Sequence, residues 1–122
     1  MTEQVNNSFI ITKVFEKAAS SLWSESEIQE LKHYLLQNPL SGDVIRGSGG
    51  IRKLRWGMAG KGKRGGARII YYHYHATAPL CLIAAYAKTQ KTDLSPQEIA
   101  VFKGFVQTIK EQFSNRLHPE RK

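Results

Sequence analysis

Residues 51–75 read IRKLRWGMAGKGKRGGARIIYYHYH. Ile51 to Trp56 alternates strongly enough to be a strand, and Ala67 to His75 has the β-branched and aromatic content of a second. The flexible, basic connection Gly57 to Gly66 makes a hairpin the simplest arrangement of the two. Side chains on a strand alternate with period two, so Lys53 and Arg55 share one face with Ile51, while Leu54 and Trp56 share the other with Arg52.

Working outward from the hairpin, Gly42 to Gly50 is loop-like, and Gly47-Ser48-Gly49-Gly50 reads as a tight turn needing positive φ rather than as a dinucleotide fingerprint. Further upstream, Ser8 to Thr12 is a short buried strand, and Phe15, Ala18, Ala19 and Leu22 follow at helical spacing. A capping box of Ser24 and Glu27 starts a second helix over about 25–37, with the stripe Ile28, Leu31, Leu35 and a stop at Asn38-Pro39. Downstream, Thr77 to Pro79 is a turn and Leu80 to Ala87 a near-continuous apolar strand. Ser95-Pro96-Gln97-Glu98 is a second capping box, and Ile99, Phe102, Val106, Ile109 and Phe113 form the stripe of a last helix. The tail beyond it, residues 116–122, is expected to fray. The order strand, two helices, three strands, helix predicts a single small α+β domain over residues 1–122. Helices cover one face of a mainly antiparallel sheet, two of them N-terminal and one C-terminal.

Charge is distributed unevenly over this frame. Between Val44 and Thr92 the chain has ten Lys and Arg residues and no Asp or Glu, while the remaining 73 residues hold eight basic and ten acidic side chains. The basic positions are Arg46, Arg52, Lys53, Arg55, Lys61, Lys63, Arg64, Arg68, Lys88 and Lys91. A block this basic, yet rich in Ile, Leu and Tyr, concentrates a positive field on folded structure and selects a polyanion, nucleic acid first. No apolar run is long enough to span a bilayer and the first seven residues lack the pattern of a secretory signal, so a cytoplasmic protein is expected. The lone Cys81 lies in an apolar run and excludes an intrachain disulfide and a thiolate metal cluster.

Two patterns are set aside. Gly57-Met58-Ala59-Gly60-Lys61-Gly62-Lys63-Arg64 approaches a nucleotide phosphate loop, but Arg64 stands where Ser or Thr must bind magnesium, and the loop runs into a strand rather than a helix. What survives is a hairpin tip whose Lys61, Lys63 and Arg64 contact phosphates. His73 and His75, placed on one face by alternation, suggest a metal pair or an acid and base for RNA cleavage; no third ligand is evident, and no metal is expected.

Gly42-Asp43-Val44-Ile45-Arg46-Gly47-Ser48-Gly49-Gly50-Ile51-Arg52-Lys53-Leu54-Arg55-Trp56, followed by Gly60-Lys61-Gly62-Lys63-Arg64-Gly65-Gly66-Ala67-Arg68-Ile69-Ile70-Tyr71-Tyr72, resembles the RelE/ParE toxin superfamily, and within it the HigB-type branch of RelE toxins. The resemblance implies the toxin of a bacterial type II toxin-antitoxin pair, a metal-independent, cofactor-free endoribonuclease that cleaves messenger RNA in the ribosomal A site by 2′-OH attack. It implies as partners the ribosome, messenger RNA and a cognate antitoxin with a helix-turn-helix domain, through which the pair reaches operator DNA. The matching catalytic positions are Lys53, Arg55 and Arg68. Lys53, crowded by the two arginines, is the expected general base, and the arginines hold the phosphate. The sequence departs from the pattern after the last strand, where Tyr86 to Ser95 offers no arginine and no further tyrosine. The general acid is therefore sought among Lys88, Lys91, His73 and His75, and Arg46, Arg52, Lys61, Lys63 and Arg64 are assigned to RNA binding. The alternatives are a ParE-like inhibitor of DNA gyrase and a non-catalytic RNA-binding module.

Overall fold

The computed structural model describes residues 3–5, 8–57, 66–91 and 93–117. In chain order the elements are β1 (Glu3–Val5), β2 (Phe9–Thr12), α1 (Lys13–Leu22), α2 (Glu25–Gln37), β3 (Asp43–Val44), β4 (Arg52–Trp56), β5 (Ala67–Tyr72), β6 (Leu80–Ala87) and α3 (Pro96–Leu117). The strands form one sheet in the order β1-β2-β6-β5-β4-β3, antiparallel throughout except where β2 lies parallel to β6. The expected α+β architecture is present. Sequence alternation did not reveal β1 and β3, because edge segments of three and two residues are too short to show a period. No helix among the described residues is long and apolar enough to cross a membrane.

The helices occupy both faces of the sheet, not one. Phe15, Ala19 and Leu22 of α1 and Leu31 and Leu35 of α2 pack with Phe9, Ile11, Ile69, Tyr71, Leu80 and Leu82 in one core. Val106, Ile109 and Phe113 of α3 pack with Ile10, Ile70, Tyr72, Cys81, Ile83 and Tyr86 in a second. The central strands β5 and β6 are buried along their whole length, which is why β6 reads as continuous apolar sequence without alternation.

One hydroxyl joins the strand–helix junction to the centre of the sheet. Thr12 Oγ1 accepts from the backbone N–H of Phe15, capping α1, and donates to the carbonyl of Ile83 at 2.6 Å. Ile83 is the extra residue of a β-bulge. Ile70 of β5 pairs with Ala84 and Tyr71 with Leu82, so two residues of β6 oppose a single step of β5. Ile83 and Ala84 consequently both face the α3 core, and every side chain of β6 after them is switched by one face. Tyr86 reaches the α3 side, cross-strand from Arg68, by this switch.

Both predicted capping boxes are present. Ser24 and Glu27 exchange their bonds at the start of α2, and Ser95 and Glu98 do so before α3. Gly47, Gly49 and Gly50 adopt φ of 75°, 83° and 110°, as the tight-turn expectation requires, and buried Ser48 ties the turn to Ile45 and Ile51. The phenol of fully buried Tyr71 fixes the preceding turn, donating to the carbonyl of Pro39 and accepting from the N–H of Gly42. A Cβ on Gly42 would stand 2.9 Å from the Tyr71 ring.

Two boundaries differ from expectation. β5 stops at Tyr72, because His75 already opens the next turn: its carbonyl accepts from Ala78 N–H and its Nδ1 from Thr77 N–H. The last helix continues to Leu117, two residues into the predicted tail; residues 118–122 lie outside the described residues.

If Thr12 holds both the cap and the bulge, Thr12→Val removes two hydrogen bonds at constant volume and should cost about 1–3 kcal/mol in urea denaturation. Thr12→Ser should retain most of that stability. A Thr12→Val chain as stable as the parent would mean that the bulge is held by packing alone.

Candidate functional site

The register of β4 on β5 sets Arg55 directly opposite Arg68, and that of β5 on β6 sets Arg68 opposite Tyr86. Lys53 lies opposite Ile70, two residues along β4 from Arg55. Ile70 and Tyr86 belong to the α3-side core, so Lys53, Arg55, Arg68 and Tyr86 share one face of the sheet. Directly opposed side chains have Cβ atoms about 4.5–5.5 Å apart. Two guanidinium groups are thus anchored within reach of one another, a like-charge arrangement that costs free energy.

Their surroundings differ. Arg68 is 9% exposed and spends one Nη1–H on the carbonyl of Ala67 at 3.2 Å. Arg55 is exposed and has no hydrogen-bond or ion-pair partner among the described residues. A buried guanidinium with a fixed orientation beside an exposed one suits bidentate capture of phosphate oxygens.

Lys53 is not surrounded by cations alone. Its Nζ lies 3.1 Å from Oδ1 of Asp93, and its partner across the edge of the sheet is Asp43 of β3. Asp43 and Asp93 are the two acids that bound the acid-free block in sequence, and the fold returns both to the same lysine. The crowding by arginines on which the general-base expectation for Lys53 rests is therefore opposed by carboxylates. The N–H of Leu94, and then Lys53, hold the Asp93 carboxyl below its usual range. Because the Asp93 side chain is 65% exposed, the pair is screened, worth about 0–1 kcal/mol, and open to displacement by a competing anion.

The turn between β6 and α3 closes this end of the face. Lys91 pairs with Glu98, whose carboxyl is lowered first by that lysine and then by the Ser95 N–H, and its ammonium lies 5.6 Å from the ring centroid of Tyr86. The Tyr86 hydroxyl is buried and has no hydrogen-bond partner among the described residues. Burial, and after it Asp93, push this phenol above its ordinary value, with Arg68 acting the other way. Neither Tyr86 nor Asp93 was identified from the sequence as a site residue. Tyr86 is hidden by the bulge, which breaks period-two reasoning, and Asp93 is joined to Lys53 only by tertiary folding.

Other predicted site residues are dispersed. Arg52 lies on the opposite face and donates to the carbonyls of Leu40 at 3.2 Å and Gly42 at 2.7 Å, so its guanidinium fastens the turn before β3. His73 and His75 follow the far end of β5, five and seven residues from Arg68, about 17 Å or more at ~3.3 Å per residue. The fold does not bring them to the arginines. His73 is lowered by burial first, then by Arg52 and His75. Lys88 is exposed just past β6, at the Arg68 end of the sheet, and Arg46 is exposed in the glycine turn. Lys61, Lys63 and Arg64 lie outside the described residues. No group of three or more His, Cys, Asp or Glu among the described residues is placed to hold a metal ion.

The family model of the RelE toxin of the RelE/RelB toxin-antitoxin system matches residues 8–119, most of the chain.

The opposed arginines predict a specific response to anions. Arg55→Gln should raise the stability of the chain slightly, by about 0.2–1 kcal/mol, by removing a like-charge pair. Inorganic phosphate at constant ionic strength should raise the melting temperature of the parent more than that of Arg55→Gln, because only the parent keeps the two-armed anion site. Identical phosphate responses would show that the two guanidinium groups do not share an anion.

Proposed function

Because the chain belongs to the RelE toxin family of toxin-antitoxin systems, we propose that it is a ribosome-dependent endoribonuclease that cleaves messenger RNA in the A site and so arrests translation. The observation that carries this reading is the direct opposition of Arg55 and Arg68 with Lys53 on the same face. A surface that only docks on RNA gains nothing from forcing two guanidinium groups together, whereas a phosphate that gains charge in its transition state rewards it.

In the proposed reaction the 2′ oxygen attacks phosphorus as its proton leaves, and the bond from phosphorus to the 5′ oxygen breaks. The 5′ oxygen takes up a proton, leaving a 2′,3′-cyclic phosphate and a 5′-hydroxyl. Arg55 and Arg68 hold the non-bridging oxygens as negative charge grows on them. The entering strand displaces Asp93 from Lys53, and Lys53 receives the 2′ proton. Lys91, on the turn beside Tyr86, supplies the proton to the leaving oxygen. Every group in this scheme belongs to the chain, and the mechanism uses no metal.

From the motifs in residues 42–72 we further infer the HigB-type branch, action in the cytoplasm, and an antitoxin partner carrying a helix-turn-helix domain that links the pair to its operator. The exposed cations of this face, Lys88 at the Arg68 end of the sheet and Arg46 in the glycine turn at the other, give the ribosome and an acidic antitoxin segment a common landing surface.

The test is single-turnover cleavage of messenger RNA on programmed ribosomes, measured beside ribosome affinity. Lys53→Ala, Arg55→Ala and Arg68→Ala should each slow cleavage by about a hundredfold or more with affinity nearly unchanged. Lys61→Ala and Lys63→Ala should instead weaken affinity modestly and leave bound cleavage intact. Equal losses of affinity and rate in all five would reduce the cluster to a docking surface.

A further inference from the structure

The same face of the molecule carries a second cationic feature away from Lys53, Arg55 and Arg68. At the other end of β4, the turn of Gly47 to Gly50 lies beside the outer side of α3. A Cβ on Gly49 would stand 3.8 Å from Cγ of Lys103 and 4.0 Å from Nζ of Lys110. Lys103 and Lys110 are seven residues apart, two turns of α3, so they stand in one row beside that turn. Neither has an acidic partner among the described residues, and exposed Arg46 precedes the turn. Gly49 is exposed with φ of 83°, and without a Cβ its backbone leaves room for an anion between the two lysines.

Lys110 also lines an open groove of about 530 Å³ with Tyr74, Gln107, Glu111 and Ser114. Tyr74 is half-buried and its ring stacks on Tyr72, with centroids 6.3 Å apart and planes 23° from parallel, which fixes its orientation. A fixed aromatic ring next to a row of ammonium groups without acidic partners is the pattern that binds single-stranded RNA, base on ring and phosphate on cation. An acidic peptide would use the lysines but gain nothing from the ring. Glu111, the acid of the groove, accepts a hydrogen bond from Gln107 at 3.4 Å and opposes an anion there.

We propose that Tyr74, Lys103 and Lys110, with the glycine turn at Gly49, form an auxiliary binding site for a single-stranded RNA segment, separate from the cleavage centre. Gly49 precedes Lys53 by four residues and β4 begins at Arg52, so the two are at most about 14 Å apart, and a strand bound here lies a few nucleotides from the arginines. The site rests on the reading of the chain as an RNA-directed toxin. Its function is to hold the strand in register while Lys53, Arg55 and Arg68 act on one phosphodiester.

The test is fluorescence anisotropy of the full chain with a 2′-O-methyl RNA of about ten nucleotides, which cannot be cleaved by 2′-OH attack. The double variant Lys103→Glu, Lys110→Glu should lower affinity about tenfold or more and reduce the slope of log affinity against log salt by about 1.4, that is ~0.7 for each phosphate the protein ceases to neutralise. Tyr74→Ala should lower affinity about fivefold or more with the salt slope unchanged, and Glu111→Gln should raise affinity. Lys13→Glu, Lys17→Glu on α1, which packs on the opposite face, makes the same charge change and serves as the control. Equal loss in the control would overturn the site and leave only net charge. So would unchanged RNA binding in the Lys103, Lys110 variant, or loss of poly-glutamate binding in that variant while RNA binding survives. Because the assay needs neither ribosomes nor cleavage, a chain that proves inactive as a nuclease but binds RNA in this way would refute the proposed activity and keep the site.

Discussion

Two like charges placed directly opposite each other by a hydrogen-bonded register are the constraint on which this molecule turns. Arg55 and Arg68 face one another across the β4–β5 ladder and have no freedom to separate their backbones, because both faces of that ladder are occupied. On one side lie Trp56, Ala67 and Ile69 with the N-terminal helices, and on the other Ile70 and Tyr72 with α3. A one-residue slip would exchange these sets and bury the cations among the N-terminal helices, so the cores that stabilise the sheet also enforce the repulsion. The cost is small beside two cores, and preorganisation for a phosphate that gains charge in its transition state is what the proposed activity would draw from it.

The bulge at Ile83 extends the same logic to β6. By inserting one residue it rotates Tyr86 onto the arginine face, and the Thr12 hydroxyl ties the bulged carbonyl to the start of α1. A contact between the first helix and the central strand thus determines what lines the site at the far end of that strand. The carboxylates work in the other direction. Asp93 reaches Lys53, and its exposure makes this a replaceable counterion rather than a permanent one.

Most of the frame was legible in the sequence because it depends on local chemistry. Both capping boxes, the apolar stripes of the three helices, the positive-φ glycine turn and the shared face of Lys53 and Arg55 follow from spacing alone. Three things were not legible, each because a long-range contact decides it. Arg52 belongs to the same basic run as its neighbours, yet the turn fixed by Tyr71 presents two carbonyls to it, and it becomes a structural clamp. His73 and His75 looked like strand residues until the turn at Thr77 ended β5 early. Tyr86 was hidden by the bulge, and Asp93 by the forty residues that separate it from Lys53.

The central claim is that Arg55 and Arg68 act as one unit on one phosphate, and a double-mutant cycle on the cleavage step tests it most directly. Single-turnover rates on programmed ribosomes would be measured for Arg55→Gln, Arg68→Gln and the double variant. Groups that jointly hold one transition state are strongly non-additive, so the double variant should be little slower than the worse of the two single variants. If the two effects multiply instead, the guanidinium groups act on separate parts of the substrate, and the shared phosphate site is contradicted.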